Sequence, residues 1–595
     1  MASQPRSKKR LHDKADSVVT AHANPRPPSE YPLLIATALA VAVPLTWAYQ
    51  QPPLPAFYSQ LVAGALWSLV LLLFSHSLRR VLWAGDGRNA MSSGMPLRAL
   101  WVCLLTLAVA HGVLALSPAF IVAPVIFNLA LAGLITLAVL LSGNAPELQR
   151  RWLGALLVGV LLAALFNSFV SLLQAFAPNW TNDIWIASSA APHDRASGNL
   201  RQPNQLATLM VWGVLAATFL LRIGAPLWLL ACAPLAATLF ATGSRTGVIS
   251  LALIVIVALL RSSRVRSWRR RSWLLLVVAV MPLAWFAASV FTRSTADAAM
   301  SQRLALWRDV LELIRQHPWT GVGIGQLNFA WTLTPLAARA PDVFDHAHSL
   351  PLQLAVELGL PAAVIILVLL ATVLWRARAA MRTRAGATAA LMLAVVLVHS
   401  LFEYPLWFSY FLLPSAFLLA WLARSATADA TPAQAEKNAT TLSRYRLQKA
   451  LPAVFAIAAV CLLVALSFAM REYDKAVAIH RRTSSPVGLS VAVDAARASP
   501  LFGQFGDYAA IMLAGDSAPL AWFERPIRNV LDERLLAAYA NALARAGDYG
   551  RAVFVVARAR EFPPNHLFDT LPAVTQPMAP GAAASAPIGP RDFRR

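Results

Sequence analysis

The stretch "FDHAHSLPLQLAVELGLPAAVIILVLL", residues 344–370, places an aspartate and two histidines directly before an apolar run. From 352 to 374 the run is long enough to cross a membrane, since a helix needs ~17–25 residues to span a hydrocarbon core of ~30 Å. Ser349 is expected to cap the helix, with Pro351 in its first turn. Ser349, Gln353 and Glu357 follow at four-residue spacing and share one helical face. A charge at the centre of a membrane helix costs on the order of 2.5–3.5 kcal/mol, so that face is expected to look into the protein. The stretch reads as the threshold of a membrane helix that carries polar chemistry.

The rest of the chain agrees. Of 595 residues, 58% are hydrophobic and only 13% charged, against about 25% charged in soluble domains. Apolar segments recur near 33–49, 57–74, 98–115, 120–141, 152–176, 204–221, 225–241, 246–260, 273–291, 352–374, 387–402, 405–422 and 451–469. The expected fold class is an all-α polytopic membrane protein with 12–13 transmembrane helices. With the N-terminus inside, the inner segments before residue 470 hold 28 Lys and Arg and the outer segments eight. That asymmetry fixes orientation. It also accounts for most of the net charge of +23 without nucleic acid as a partner. In a bacterium this is the inner membrane, with the outer side facing the periplasm. Cys103, Cys232 and Cys461 lie far apart in apolar segments and suggest neither a disulfide framework nor a zinc site.

The expected organisation is a basic cytoplasmic tail (1–30), membrane helices (31–291), a large periplasmic loop (292–351), further membrane helices (352–469), a periplasmic helical, tetratricopeptide-like region (470–568) and a disordered tail (569–595). Within the large loop, Leu304, Trp307, Val310, Leu311 and Ile314 recur at helical spacing. This predicts an amphipathic helix on the outer face, followed by the turn-rich "TGVGIGQ" and a mobile segment that ends at the opening stretch.

Five polar stretches emerge on the outer side: "GNLRQPNQLAT" (198–208), "ATGSRTG" (241–247), "SQRLALW" (301–307), "DHAHS" (345–349) and "HSLFEYPLWFSYF" (399–411). His348, at a helix threshold, is suited to accept a proton from a hydroxyl, although position alone also fits a residue that merely closes the loop. Asp345, His346 and His348 fit common zinc spacings poorly, so no metal is expected. Arg201, Arg245 and Arg303 are candidate anion clamps, because guanidinium binds phosphate oxygens bidentately. Arg245 stands out by its place in a Gly-Ser-Arg-Thr-Gly turn. Gln202 and Asn204 offer amides at the start of a membrane helix, where ordinary capping is the alternative. Tyr404 follows Glu403 before Pro405 and could equally be an interfacial anchor. No phosphate-binding loop, GxSxG elbow or HExxH motif is present.

Together these motifs resemble the PglL-type bacterial protein O-oligosaccharyltransferases, relatives of the O-antigen ligases (WaaL) and O-antigen polymerases (Wzy). The resemblance runs over roughly residues 30–560. It implies en bloc transfer of a glycan from undecaprenyl diphosphate to Ser or Thr hydroxyls of a periplasmic protein such as pilin, with no cofactor. It implies His348 as the essential histidine, with Gln202 and Tyr404 at the substrate and Arg245 and Arg303 at the diphosphate. Beside these, position alone makes Asn204 a further candidate at the substrate, Arg201 at the diphosphate, and Gln353, Glu357 and Glu403 supporting groups. His346 and Asp345 stay unassigned. A lipid A-core ligase or an O-antigen polymerase is the alternative within the same chemistry. A polysaccharide transporter is a remoter one, since no inverted repeat is detectable.

Overall fold

The computed structural model describes residues 30–83, 94–143, 145–188, 195–221, 223–261, 295–336, 339–340, 342–425, 441–481, 486–529, 531–562 and 593. Every regular element among these residues is helical. Seven helices are long and apolar enough to cross a membrane: Phe57–Leu78, Met95–Val113, Ala119–Ser142, Pro146–Phe176, Pro203–Leu220, Leu360–Arg382 and Ala450–His480. Tyr31–Thr46, Pro226–Ala241, Arg245–Val257 and Arg384–Ser400 are shorter apolar helices. The span expected at 273–291 and the N-terminal tail to residue 29 lie outside the described residues.

Apolar helices gain little from packing against one another when lipid is the alternative, so close fit and buried polar bonds must hold them. Trp67, Trp152, Trp212, Phe411 and Phe417 are buried in the bundle core. Trp152 stacks on Phe74 with ring centres 5.2 Å apart, and its indole N–H donates to Thr37 Oγ1 at 2.7 Å. The Trp212 N–H reaches the Met392 carbonyl at 2.8 Å.

The opening stretch departs from the single span that its apolar pattern predicts. It forms two helices, Leu350–Leu358 and Leu360–Arg376, broken at Gly359 with φ +84°. That backbone region favours glycine, and Pro361 in the next turn brings no N–H. The glycine-rich turn closes the break: Val322 N–H donates to the Val356 carbonyl (2.8 Å), Gly323 N–H to that of Glu357 (3.1 Å), and Leu360 N–H to that of Pro318 (2.8 Å). The first two bonds satisfy carbonyls that a helix end leaves bare, and the third satisfies an N–H at the start of the next helix. A side chain at Gly321 would put its Cβ 2.3 Å from the Glu357 carbonyl, so only glycine permits the approach. Ser349, Gln353 and Glu357 are all buried, as their shared face required, but on a short helix outside the crossing segment. Ser349 takes the N-cap position without a side-chain capping bond.

The helix expected in the large loop is Thr295–Gln316. Its period is as read, but its phase differs. Leu306, Val310, Leu313 and Ile314 are buried, whereas Leu304 and Leu311 are each 56% exposed. The buried side meets Leu327–Leu333, which is buried throughout, and the C-terminal core of Ile511, Phe523, Leu535 and Tyr539. Arg528 donates to Gln326 Oε1 (3.0 Å) and to the Leu116 carbonyl (3.0 Å), and Leu531 N–H donates to Asn328 Oδ1 (2.7 Å). The segment read as mobile is therefore packed into one core with the C-terminal helices.

That C-terminal region contains the expected hairpin, Glu533–Arg545 and Tyr549–Ala559, capped by Asp532 and Asp548. A second pair, Pro486–Arg497 and Gly503–Ala514, precedes it. The helix carrying the last span runs on to His480, past the boundary expected at 470. Most of the tail from 569 lies outside the described residues. Its Phe593 is buried beside Tyr539 and Phe554.

Candidate active site

Three buried amides shape the loop before residue 203. Asn167 donates to the Leu45 carbonyl (2.9 Å) and accepts Asn199 N–H (2.9 Å). Asn199 in turn donates to the carbonyls of Thr46 (2.7 Å) and Trp185 (2.8 Å). Gln174 exchanges bonds with Gly198, accepting its N–H at 3.1 Å and donating to its carbonyl at 3.2 Å. Buried polar side chains at these depths are satisfied only by such pairing. Their effect is to fix Arg201 and Gln202 at the mouth of helix Pro203–Leu220. Gln202 is its N-cap, with Oε1 accepting Gln205 N–H at 2.6 Å. Arg201 donates to Asp183 at 2.7 Å.

Glu403 is the centre of the site. It lies between helices Arg384–Ser400 and Ser409–Ser425, and its side chain is only 9% exposed. Its carboxylate accepts from His348 Nδ1 (2.9 Å), Asn204 Nδ2 (3.2 Å) and the Arg303 guanidinium. Burial pushes this carboxyl up, but the bond from His348 and the charges of His348 and Arg303 outweigh it and hold the group below its ordinary value. With His348 it forms a His–carboxylate pair. Three stretches far apart in sequence thus converge on one oxygen pair.

Backbone strain marks the same place. Non-glycine residues seldom adopt positive φ, and such outliers cluster at functional sites. His348 (φ +48°), Arg201 (φ +55°) and its partner Asp183 (φ +56°) all do so. His348 is held from behind, where Gln353 Oε1 accepts Ala347 N–H at 2.6 Å and Trp307 donates to the Ala347 carbonyl at 2.9 Å. Tyr404 packs edge-on to the His348 ring at 5.1 Å and stacks on His346 at 4.2 Å. His346 Nδ1 also lies 2.8 Å from Asp345. Among the described residues no three His, Cys, Asp or Glu side chains converge as a metal site would require.

A cleft of about 210 Å³ opens beside Glu403 and Tyr404, with Arg201 and Gln202 also in its wall. Arg245, His348, Arg303 and Asn204 are outside that lining. Arg245 begins the helix Arg245–Arg261 after the 241–244 turn. Arg195 links that turn to the hub, donating to the Thr242 carbonyl (2.7 Å) and to Asn204 Oδ1 (3.0 Å). Nothing in its local sequence singled Arg195 out. His399 also lines the cleft, one helical turn before Glu403.

Glu357 stands apart from the hub. Its Oε1 accepts Gly325 N–H at 2.8 Å, so it braces the glycine turn. Burial pushes its carboxyl from about 4.5 up to about 8, only partly offset by Gly325 and Gln353. A raised carboxyl stabilises the fold fully below its unfolded value and loses that contribution as pH rises through the folded one. Glu357→Gln keeps an acceptor for Gly325. The melting temperature of the detergent-solubilised variant should therefore fall less than wild type between about pH 5 and about pH 8. Parallel declines would contradict the assignment.

Comparison with known proteins bears on the same residues. Residues 196–221 match the family described as protein glycosylation ligase, 230–367 match O-antigen ligase, and 387–575 match the C-terminal part of the virulence factor membrane-bound polymerases. The chain is thus similar in separate segments to protein glycosylation ligases of the PglL type and to O-antigen ligases and polymerases. Gln202 and Asn204 fall in the first match, Arg245, Arg303 and His348 in the second, and Glu403 and Tyr404 in the third. It is 36% identical over 146 residues to a general O-oligosaccharyltransferase of Acinetobacter baylyi, covering 24% of this chain and 25% of that protein. It is 24% identical over 283 residues to a ComP-specific O-oligosaccharyltransferase of the same organism, covering 46% and 50%. The similarity thus spans half or less of either relative's length.

Proposed function

We propose that the protein transfers a preassembled glycan from undecaprenyl diphosphate to a Ser or Thr hydroxyl of a periplasmic protein such as pilin. The observation that carries this reading is the His348–Glu403 pair at a cleft at one end of a membrane bundle. With Nδ1 bonded to Glu403, the Nε2 of His348 is the nitrogen left to take a proton. The acceptor oxygen attacks the anomeric carbon and gives its proton to His348. The carbon–oxygen bond to phosphate breaks with inversion, and the diphosphate leaves with the electron pair. Glu403 stabilises the imidazolium that forms. Arg245 and Arg303 stabilise the departing charge, although Arg303 already commits one nitrogen to Glu403. The prenyl tail stays in lipid, which is why such a site belongs at the membrane's periplasmic surface.

A lipid A-core ligase or O-antigen polymerase is the second reading, favoured by the matches over 230–367 and 387–575. Deleting the gene in its bacterium separates the two. Loss of glycan from periplasmic proteins, with lipopolysaccharide unchanged, supports protein transfer. Intact protein glycosylation with shortened lipopolysaccharide overturns it.

A further inference from the structure

Three polar atoms in the wall of the cleft are buried and have no hydrogen-bond partner among the described residues: the Trp47 indole nitrogen, Arg201 Nε and His399 Nε2. Buried polar atoms are normally paired, so three around one cleft indicate what the cleft receives. Each is fixed from its other side. His399 is 1% exposed, and its Nδ1 lies 2.8 Å from Thr208 Oγ1. Arg201 spends Nη2 on Asp183. Trp47 packs in the aromatic cluster around Tyr58 and Tyr473.

The charge of the wall restricts the ligand. Arg201 is paired with Asp183, and Glu403 with Arg303, so the wall offers little net charge to a diphosphate. What remains are the N–H groups of Trp47 and Arg201, the ring nitrogen of His399, the amides of Gln50 and Gln202, and the aromatic rings of Tyr404 and Phe408. Planar donors for hydroxyl and carbonyl oxygens, set beside aromatic faces for C–H surfaces, suit a neutral polyhydroxylated ring.

We infer that this cleft is the subsite for the sugar joined to the diphosphate, with Trp47, Arg201 and His399 binding its oxygens, and that the diphosphate itself lies outside it. This rests on the donor reading above. It moves Arg201 from the diphosphate to the sugar and gives roles to Trp47 and His399, which the motifs left without one.

The test measures binding of undecaprenyl diphosphate, bare or bearing one hexose or N-acetylhexosamine, to the full-length protein in nanodiscs. Trp47→Phe keeps an aromatic ring and removes the N–H. His399→Asn keeps a partner for Thr208 and removes Nε2. Wild type should bind at least one sugar-bearing lipid more tightly than the bare lipid. Each variant should weaken that complex by about three- to tenfold, the effect of one lost hydrogen bond, and leave the bare lipid within about twofold. Equal loss on the bare lipid would assign the cleft to the diphosphate and overturn the inference. So would unchanged affinity in both variants, or no preference for sugar in wild type. Failure of wild type to bind any of these lipids would instead overturn the donor reading, and the inference with it.

Discussion

His348→Ala should lower glycan transfer by about 10²–10⁴-fold, the range that a positioned general base contributes. Folding should survive, because the ring is 21% exposed and is not part of the bundle core. Its bonds are to Glu403 and its ring contacts are to Tyr404 and Phe344. Donor affinity should stay within about twofold, since the histidine acts on the acceptor proton and not on the lipid. Rates and donor affinity of the purified variant check both parts. A comparable fall in donor affinity would make His348 a binding residue. Full activity would remove it from the mechanism.

Glu403→Gln should have the next largest effect, about 10²–10³-fold on the rate, in keeping with loss of a group that orients and charges a base. The amide keeps the size of the side chain but gives up the charge that faces His348 and Arg303. One of its hydrogens must then point at a donor. Glu403→Asp, which keeps the charge, separates this from simple loss of packing. It should recover part of the rate lost in Glu403→Gln. Equal loss in the two variants would leave Glu403 a structural role only.

Local pattern made much of this legible. Apolar length and the placement of Lys and Arg gave the helical membrane class, and polar residues beside helix ends pointed to His348, Gln202 and Tyr404. Four-residue spacing put Gln353 and Glu357 on a buried face. What the pattern could not show was pairing across the chain. Glu403 meets Asn204, Arg303 and His348 from 199, 100 and 55 residues away, and no local spacing records such contacts. The Gly359 break was hidden because Leu-Gly-Leu-Pro reads as apolar continuity. Its cause is the turn at 318–323 folding back onto the helix end. The phase of Thr295–Gln316 was misread for a similar reason. Its alternative apolar faces look alike until the C-terminal helices choose one.

The most direct test is reconstitution from purified parts: the full-length protein, a chemically defined undecaprenyl diphosphate glycan and a pilin-type acceptor, read by intact mass of the acceptor. Wild type should add the mass of one glycan at a Ser or Thr and release undecaprenyl diphosphate, while His348→Ala should bind the donor and leave the acceptor mass unchanged. A wild-type protein that binds both substrates without forming the product, or a His348→Ala variant that forms it at the wild-type rate, would contradict the account.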